Sequence, residues 1–188
     1  MRAGLTPARI VEAGLELADA VGFDHVTVSS VARRVGVRSA SLYSHIKDLH
    51  DLKTRMALRA LEELAERAAE SLAGRSESDA LAALGNVYRD YAHEHPGRFT
   101  AARFPMDADT AMVSAGPRQT ALTQAVLRGY AVPESEQPHA VRLLGSTFLG
   151  YITLELSTGF SHSAPDSESS WNRILEVLDH TLRHWPDS

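Results

Sequence analysis

The residues between Thr27 and Lys47 are those whose types and spacing suit a defined chemistry. The run Arg38-Ser39-Ala40-Ser41-Leu42-Tyr43-Ser44-His45-Ile46-Lys47 interleaves side-chain donors with small residues, and its apolar members Leu42 and Ile46 fall four apart. On a helix that spacing puts both apolar side chains on one face and leaves Arg38, Ser39, Ser41, Ser44 and His45 on the other. Such a face suits nucleic acid. Arg38 can pair with guanine O6 and N7 together, Ala40 is small enough to touch a thymine methyl, and Lys47 suits a phosphate. Thr27 offers a second phosphate contact, because its hydroxyl and the free N–H groups of a helix N-terminus both bind anions. Arg33 and Arg34 are weaker candidates, since basic residues on a surface helix are ordinarily just solvated.

The elements that must hold this face can be read around it. Val28, Val31, Ala32 and Val35 have the spacing of one helical face, with Thr27 as the N-cap. Gly36 stops that helix, because a positive φ is cheapest at glycine. Val37 then packs inward, and Ser39 is expected to cap a second helix running through Leu42 and Ile46. Two short helices joined by a three-to-four-residue turn with Gly form a helix-turn-helix, whose second helix enters the DNA major groove. Upstream, Thr6-Pro7 opens a bracing helix with apolar residues at Ile10, Ala13, Gly14, Leu17 and Val21, ended by Gly22. Downstream, a long helix is expected over Asp48 to Leu72.

Composition narrows the classes. The 188 residues include no cysteine, which excludes disulfides, thiolate metal sites and cysteine nucleophiles. The net charge of −5 by itself argues against nucleic acid, but it is unevenly spread. Residues 1–50 carry six basic side chains (Arg2, Arg9, Arg33, Arg34, Arg38, Lys47) against five acidic ones, a balance of +1; the remainder carries 13 basic and 19 acidic. The N-terminal part alone can approach a phosphate backbone without strong repulsion. Met1 to Ala13 shows no signal-peptide core, and no apolar run reaches the roughly 18 residues of a membrane span. A cytoplasmic location and no membrane partner are therefore expected.

The rest reads as helices: an all-α chain of about nine, a three-helix helix-turn-helix head on a larger C-terminal bundle, with the functional boundary between residues 48 and 49. Residues 105–117, interrupted by Pro105, Gly116 and Pro117, are expected to form a loop with one broken helical turn, placed as an entrance or lid. Beside it, Leu84, Tyr88, Tyr91, Phe99, Phe104, Met112, Leu122, Phe148 and Tyr151 are candidate linings for an effector pocket, although aromatics at helical spacing are more often core. Glu155 stands in an otherwise apolar helix and needs a partner, either an arginine such as Arg142 or Arg173 or a polar group of an effector. Ser146, Gly150, Thr153 and Ser157 form a stripe of small residues that lets another helix approach. With the face of Trp171, Ile174, Leu178 and Leu182 they are the expected dimer surface, built from the last two long helices of each copy.

Catalysis is not expected: no nucleophile elbow or phosphate loop is present, and no cofactor is implied. Glu176, His180 and His184 share a helix face at spacings of four, where a solvated or interface role outweighs a metal site.

Thr27, Ala32, Gly36-Val37, Leu42-Tyr43 and His45-Ile46 resemble the DNA-binding domain of TetR-type transcriptional regulators. Leu49 departs from the family's usual lysine; the segment Lys47-Asp-Leu-His-Asp-Leu52 looks like a subgroup carrying leucine there, with Lys47 as the replacement backbone contact. Tyr88-Arg-Asp-Tyr91 and His95-Pro-Gly-Arg-Phe99 are similar to the start of a C-terminal domain found in many members. The resemblance implies an effector-responsive regulator, a repressor by preference. It also implies that Tyr43 and His45 contact phosphate, and that the partners are a double-stranded DNA operator, a small-molecule effector and a second copy of the chain. The effector would shift the helix following the motif and so change the separation of two heads. A reading from another class is an all-α small-molecule or protein-binding module in which the helix-turn-helix is only a structural corner.

Overall fold

The computed structural model describes residues 5–186, which form ten α-helices and one short 3-10 turn and no strand among the described residues. Arg2, counted in the charge of the head, lies outside them. The helices are α1 (Pro7–Val21), α2 (Val28–Val35), α3 (Ser39–Leu42), α4 (Leu49–Leu72) and α5 (Glu77–Glu94), then α6 (Pro96–Ala101), α7 (Ala108–Val113), α8 (Gly116–Arg128), α9 (Gln137–Leu156) and α10 (Ser167–Arg183). One more helix is present than the sequence predicts. It is α7, inside the expected loop, where Asp107 caps the start by accepting from the Thr110 N–H at 2.8 Å.

By packing, the chain divides into two compact units, Met1–Glu63 with Glu94–Ala115, and Leu64–His93 with Gly116–Ser188. Helix α4 contributes to both. This is a division by contacts, whereas the expected boundary after residue 48 was one of function.

The first unit is built from short capped helices around one core. Thr6 accepts from the Arg9 N–H at 3.2 Å to start α1, and Pro7 fills the first helical position. Ile10, Leu15 and Ala18 of α1 meet Val31 of α2, Leu42, Ile46, and Leu52 and Met56 of α4 in a buried cluster that also takes Phe23, Val26 and Ala101. Val21, read as part of the stripe of α1, is 52% exposed because it sits on the last turn, where Gly22 redirects the chain.

The second unit packs α5, α8, α9 and α10 around Leu81, Leu84, Tyr91, Leu127, Leu144, Phe148, Ile152 and Trp171. Its buried polar groups are partnered. Trp171 Nε1 donates to Asn86 Oδ1 at 2.7 Å, Tyr130 donates to Asp179 at 2.7 Å, and Tyr151 donates to the Ser167 carbonyl at 2.5 Å. Helix α9, apolar around Glu155, is buried along one side only. Leu144, Phe148, Tyr151 and Ile152 are buried, whereas Gly145, Ser146, Leu149, Gly150, Thr153 and Leu154 are exposed.

Candidate nucleic-acid interface

The second helix of the motif rests on an anchored first helix. Thr27 and Ser30 form a reciprocal capping box at the start of α2: the Ser30 N–H donates to Thr27 Oγ1 at 3.1 Å, and the Thr27 N–H donates to Ser30 Oγ at 2.9 Å. The Val28 and Ser29 N–H groups of the first turn have no intrahelical acceptor. At the other end Gly36 takes φ 76°, and its N–H and that of Val37 turn back onto carbonyls of α2. Arg34, at the last turn, donates to Glu16 of α1 at 2.8 and 2.7 Å, so this guanidinium braces the head.

Helix α3 is shorter than the sequence predicts. It spans Ser39–Leu42 only, and residues 43–45 form a turn in which the His45 N–H bonds the Leu42 carbonyl. The cause lies just downstream. The Lys47 N–H is taken by Asp51 Oδ2 at 2.8 Å, and the Asp51 N–H by Asp48 Oδ1 at 2.8 Å, so α4 claims the chain at once. Ser39 is not the N-cap: it is the first helical residue, Arg38 occupies the cap position without a side-chain bond, and Ser39 Oγ reaches Ser29 Oγ at 3.5 Å.

The division of faces is as the spacing implies. Leu42 is 0% and Ile46 3% exposed, both within the core of the first unit. Arg38, Ala40, Ser41, Tyr43, Ser44 and Lys47 are exposed, as is Thr27; Ser39 and His45 are half-buried. Tyr43, at 56% exposed, is a large ring held in water on the surface of the motif. Ser44 turns its hydroxyl to the Ser41 carbonyl at 2.9 Å. The Arg38 guanidinium makes no hydrogen bond or ion pair among the described residues. An unpaired cation, a phenol and hydroxyls thus share one surface whose underside is packed, an arrangement able to meet base edges and phosphates.

Leu49 stands at the first position of α4, 36% exposed. Asp48 and Asp51 beside it cap this helix internally. Burial would raise the Asp51 carboxyl, but the hydrogen bonds from Arg55 and from the Lys47 N–H outweigh that and hold it below the usual range.

The candidate effector residues are divided between the two units. Phe99, Phe104 and Met112 belong to the first unit, where Phe104 packs edge-on to Phe23 at 5.6 Å and Met112 is 72% exposed. Leu84, Tyr88, Tyr91, Leu122, Phe148, Tyr151 and Glu155 belong to the second. There Tyr88 lies 6.4 Å from Phe148 and donates to Gln119 at 3.3 Å, and burial pushes its phenol up to about 12. Glu155 pairs with neither Arg142 nor Arg173. Its partners are Arg89, at 2.9 and 2.7 Å, His93 at 2.9 Å, and the hydroxyl of Ser167. Arg89 sits on α5, which sequence spacing could not place opposite α9.

The expected dimer residues also separate. Ser146, Gly150 and Thr153 are exposed on α9, and Ser157 is exposed at its C-cap. Trp171, Leu178 and Leu182 are instead 0%, 5% and 0% exposed within a single protomer, and Ile174 is half-buried, because the apolar face of α10 completes its own bundle. Within one protomer Trp171, Leu178 and Leu182 are thus core residues, and Ile174 keeps part of its surface open. Beyond them, His180 and His184 stack at 4.3 Å while Glu176 accepts from Arg173 at 2.7 Å, and among the described residues no group of three His, Asp or Glu is placed to hold a metal ion. No helix of the described residues is long and apolar enough to cross a membrane.

Sequence reasoning missed one polar cluster in the first unit. Arg98, read only as part of the His95–Phe99 run, is 8% exposed and surrounded by carboxylates. Its Nε donates to Asp19 at 3.0 Å, its Nη1 to Glu63 at 2.9 Å, and its Nη2 to Glu12. Burial lowers its affinity for a proton, but the bonds to Glu12 and Asp19 and the charge of Glu63 reverse that and hold it above its ordinary value. The available signal was an arginine set among Gly97, Phe99 and Ala101, all of which are buried.

Comparison with known proteins agrees with this geometry. Residues 10–47 match the family described as bacterial regulatory proteins, tetR family, and residues 81–178 match the tetracyclin repressor-like C-terminal domain. An uncharacterized HTH-type transcriptional regulator of Bacillus subtilis is 32% identical over 97% of this chain and 91% of its own. Another from Mycobacterium tuberculosis is 32% identical over 82% of this chain and 72% of its own. Among solved structures, a TetR variant from Acinetobacter baumannii AYE in complex with minocycline has a TM-score of 0.73 at 18% identity, covering 98% of this chain and 100% of that one. On the helix-turn-helix geometry, the two family matches and these relatives, the chain belongs to the TetR family of DNA-binding transcriptional regulators.

Proposed function

We propose that the protein is an effector-responsive repressor that binds a roughly palindromic operator as a homodimer. The observation that carries the reading is the surface of the motif: Leu42 and Ile46 are sealed in the core while Arg38, Ala40, Ser41 and Tyr43 stand in water. In this reading Arg38 pairs with a guanine edge, Ala40 and the serines fit beside it, and Tyr43, His45, Lys47 and the Thr27 end of α2 hold phosphates. Lys47 takes the backbone role left open by Leu49.

A dimer is supported by α9. Leu149 and Leu154 are 37% and 52% exposed beside the small residues Gly145, Ser146 and Gly150, and on α10 Val177 is 52% exposed. A Cβ built at Gly145 or Gly150 meets nothing within 4 Å, so a second helix has room to approach there. A two-fold pair presents two α3 helices to half-sites about one helical turn apart or a little more.

Effector binding is assigned to the second unit, around Tyr88, Leu122 and Phe148, with Leu84, Tyr91 and Tyr151 behind them. The minocycline complex of the Acinetobacter relative supports a small-molecule ligand in this class of domain. Effector and operator then oppose each other reciprocally, through a shift of α4 between DNA-competent and incompetent states.

The test is a mobility-shift assay with the DNA upstream of the protein's own gene. The wild type shifts it, and Arg38→Ala and Tyr43→Ala shift it only at higher protein concentration, about tenfold or more. Equal binding by both variants would overturn the assigned reading surface.

A further inference from the structure

We propose that Arg98 is a positioning residue of the reading head, holding α1 and α4 together so that α2 and α3 stand where DNA requires them. The proposal rests on the DNA-binding reading above and concerns a residue outside the motif.

Three carboxylates converge on one guanidinium. Glu12 and Asp19 come from α1 and Glu63 from α4, and each takes a different nitrogen of Arg98. The Arg98 backbone N–H also donates to Asp19 at 2.9 Å, so Asp19 is held twice. His95 adds an Nδ1 contact to Asp19 at 3.3 Å, and Arg59 reaches Glu63 at 3.2 Å. Without Arg98, like charges on two helices face one another, Asp19 and Glu63 largely shielded from water and Glu12 at the open edge, and they push those helices apart.

The backbone reinforces the clasp. A Cβ at Gly97 would lie 2.0 Å from the Ala18 carbonyl carbon and 2.3 Å from the Asp19 nitrogen. Helix α6 therefore rests directly on the backbone of α1, and only glycine permits it. From α1 the contacts continue to the motif: Glu16 accepts from Arg34 of α2 at 2.7 Å, and Ser29 of α2 lies 3.5 Å from Ser39 of α3. All these residues belong to the first unit. In the chain, α6 follows α5 after the single residue His95. Arg98 thus sits at the end of a relay whose other end is the reading helix, while contacting no surface that meets DNA.

The experiment measures anisotropy of a labelled fragment from the protein's own locus with full-length wild type, Arg98→Gln, Arg98→Lys and the double variant Arg98→Gln/Glu12→Gln. The expected result is about tenfold weaker binding by Arg98→Gln with the salt dependence unchanged, since no phosphate contact is lost. Arg98→Lys should fall between, because an ammonium cannot fork to three acids. Removing Glu12 as well should restore part of the affinity, which loss of packing alone would not allow. If Arg98→Gln does not fold by circular dichroism, Asp19→Asn decides in its place, with weaker binding and an unchanged salt slope expected. Wild-type affinity in either variant, a reduced salt slope, or no recovery in the double variant would overturn the proposal. If the wild type itself binds no fragment, the DNA-binding reading fails and this proposal with it.

Discussion

Arg89 of α5 holds Glu155 of α9 through two parallel hydrogen bonds, Nε to Oε2 at 2.9 Å and Nη2 to Oε1 at 2.7 Å. The same guanidinium reaches Glu168 of α10 at 2.5 Å and lies over the Trp171 ring at 5.6 Å. One cation therefore joins three helices of the second unit. With the Glu155 side chain only 8% exposed, burial pushes its carboxyl up, but the bonds from Arg89, Ser167 and His93 outweigh this and bring it down to about 2, against an ordinary 4.5.

A depressed carboxylate stabilises the fold above its unfolded value and ceases to do so as the pH falls through the folded one. Glu155 should contribute fully above about pH 4.5 and lose that contribution between there and pH 2. An acid titration followed by tryptophan emission should show wild type more stable than Glu155→Gln near neutral pH by on the order of 3 kcal/mol. The gap should close in acid. Parallel curves for the two proteins would refute the pairing.

This pair also marks what is readable in a chain and what is not. That Glu155 needed a partner followed from its apolar neighbours, and the capping of α2 by Thr27 followed from residue type. The identity of Arg89 did not, because it depends on how α5 is laid against α9. Arg98 eluded the same reasoning for the same reason. Its three carboxylates lie 35 to 86 residues away in the chain. The faces of α3 were legible from the spacing of Leu42 and Ile46, but its length was not, since Asp51 ends it from the following helix. On α10 the apolar stripe was visible, yet whether it met its own protomer or another could not be told from periodicity.

That last distinction yields opposed outcomes for two substitutions. Gly150→Trp adds bulk where the protomer leaves open space, so the fold should survive and sedimentation should show a monomer. Leu178→Ala empties a position 5% exposed and should lower stability by about 2–5 kcal/mol while leaving the dimer intact under native conditions. A dimeric Gly150→Trp protein would exclude this face of α9.

Thr27 carries a local role that can be separated from DNA. Thr27→Ala removes the acceptor of the Ser30 N–H and should lower thermal stability by about 1 kcal/mol. Thr27→Ser keeps the acceptor and should behave as wild type in melting. Equal melting of the alanine variant would show that the cap contributes nothing.

Arg38 is expected to act on sequence choice. Against a panel of operators changed one base pair at a time, Arg38→Ala should lose about 1–3 kcal/mol of discrimination at one guanine in each half-site and little elsewhere. Uniform weakening across the panel would make Arg38 a phosphate contact.

The most direct measurement is the affinity of the full-length protein for DNA from its own locus as salt is raised. Binding at low salt whose logarithm falls linearly with the logarithm of salt is the expected result, with a slope about one smaller for Lys47→Ala. No binding to any fragment of that locus at low salt would contradict the assignment of Thr27–Lys47 as a DNA-reading surface.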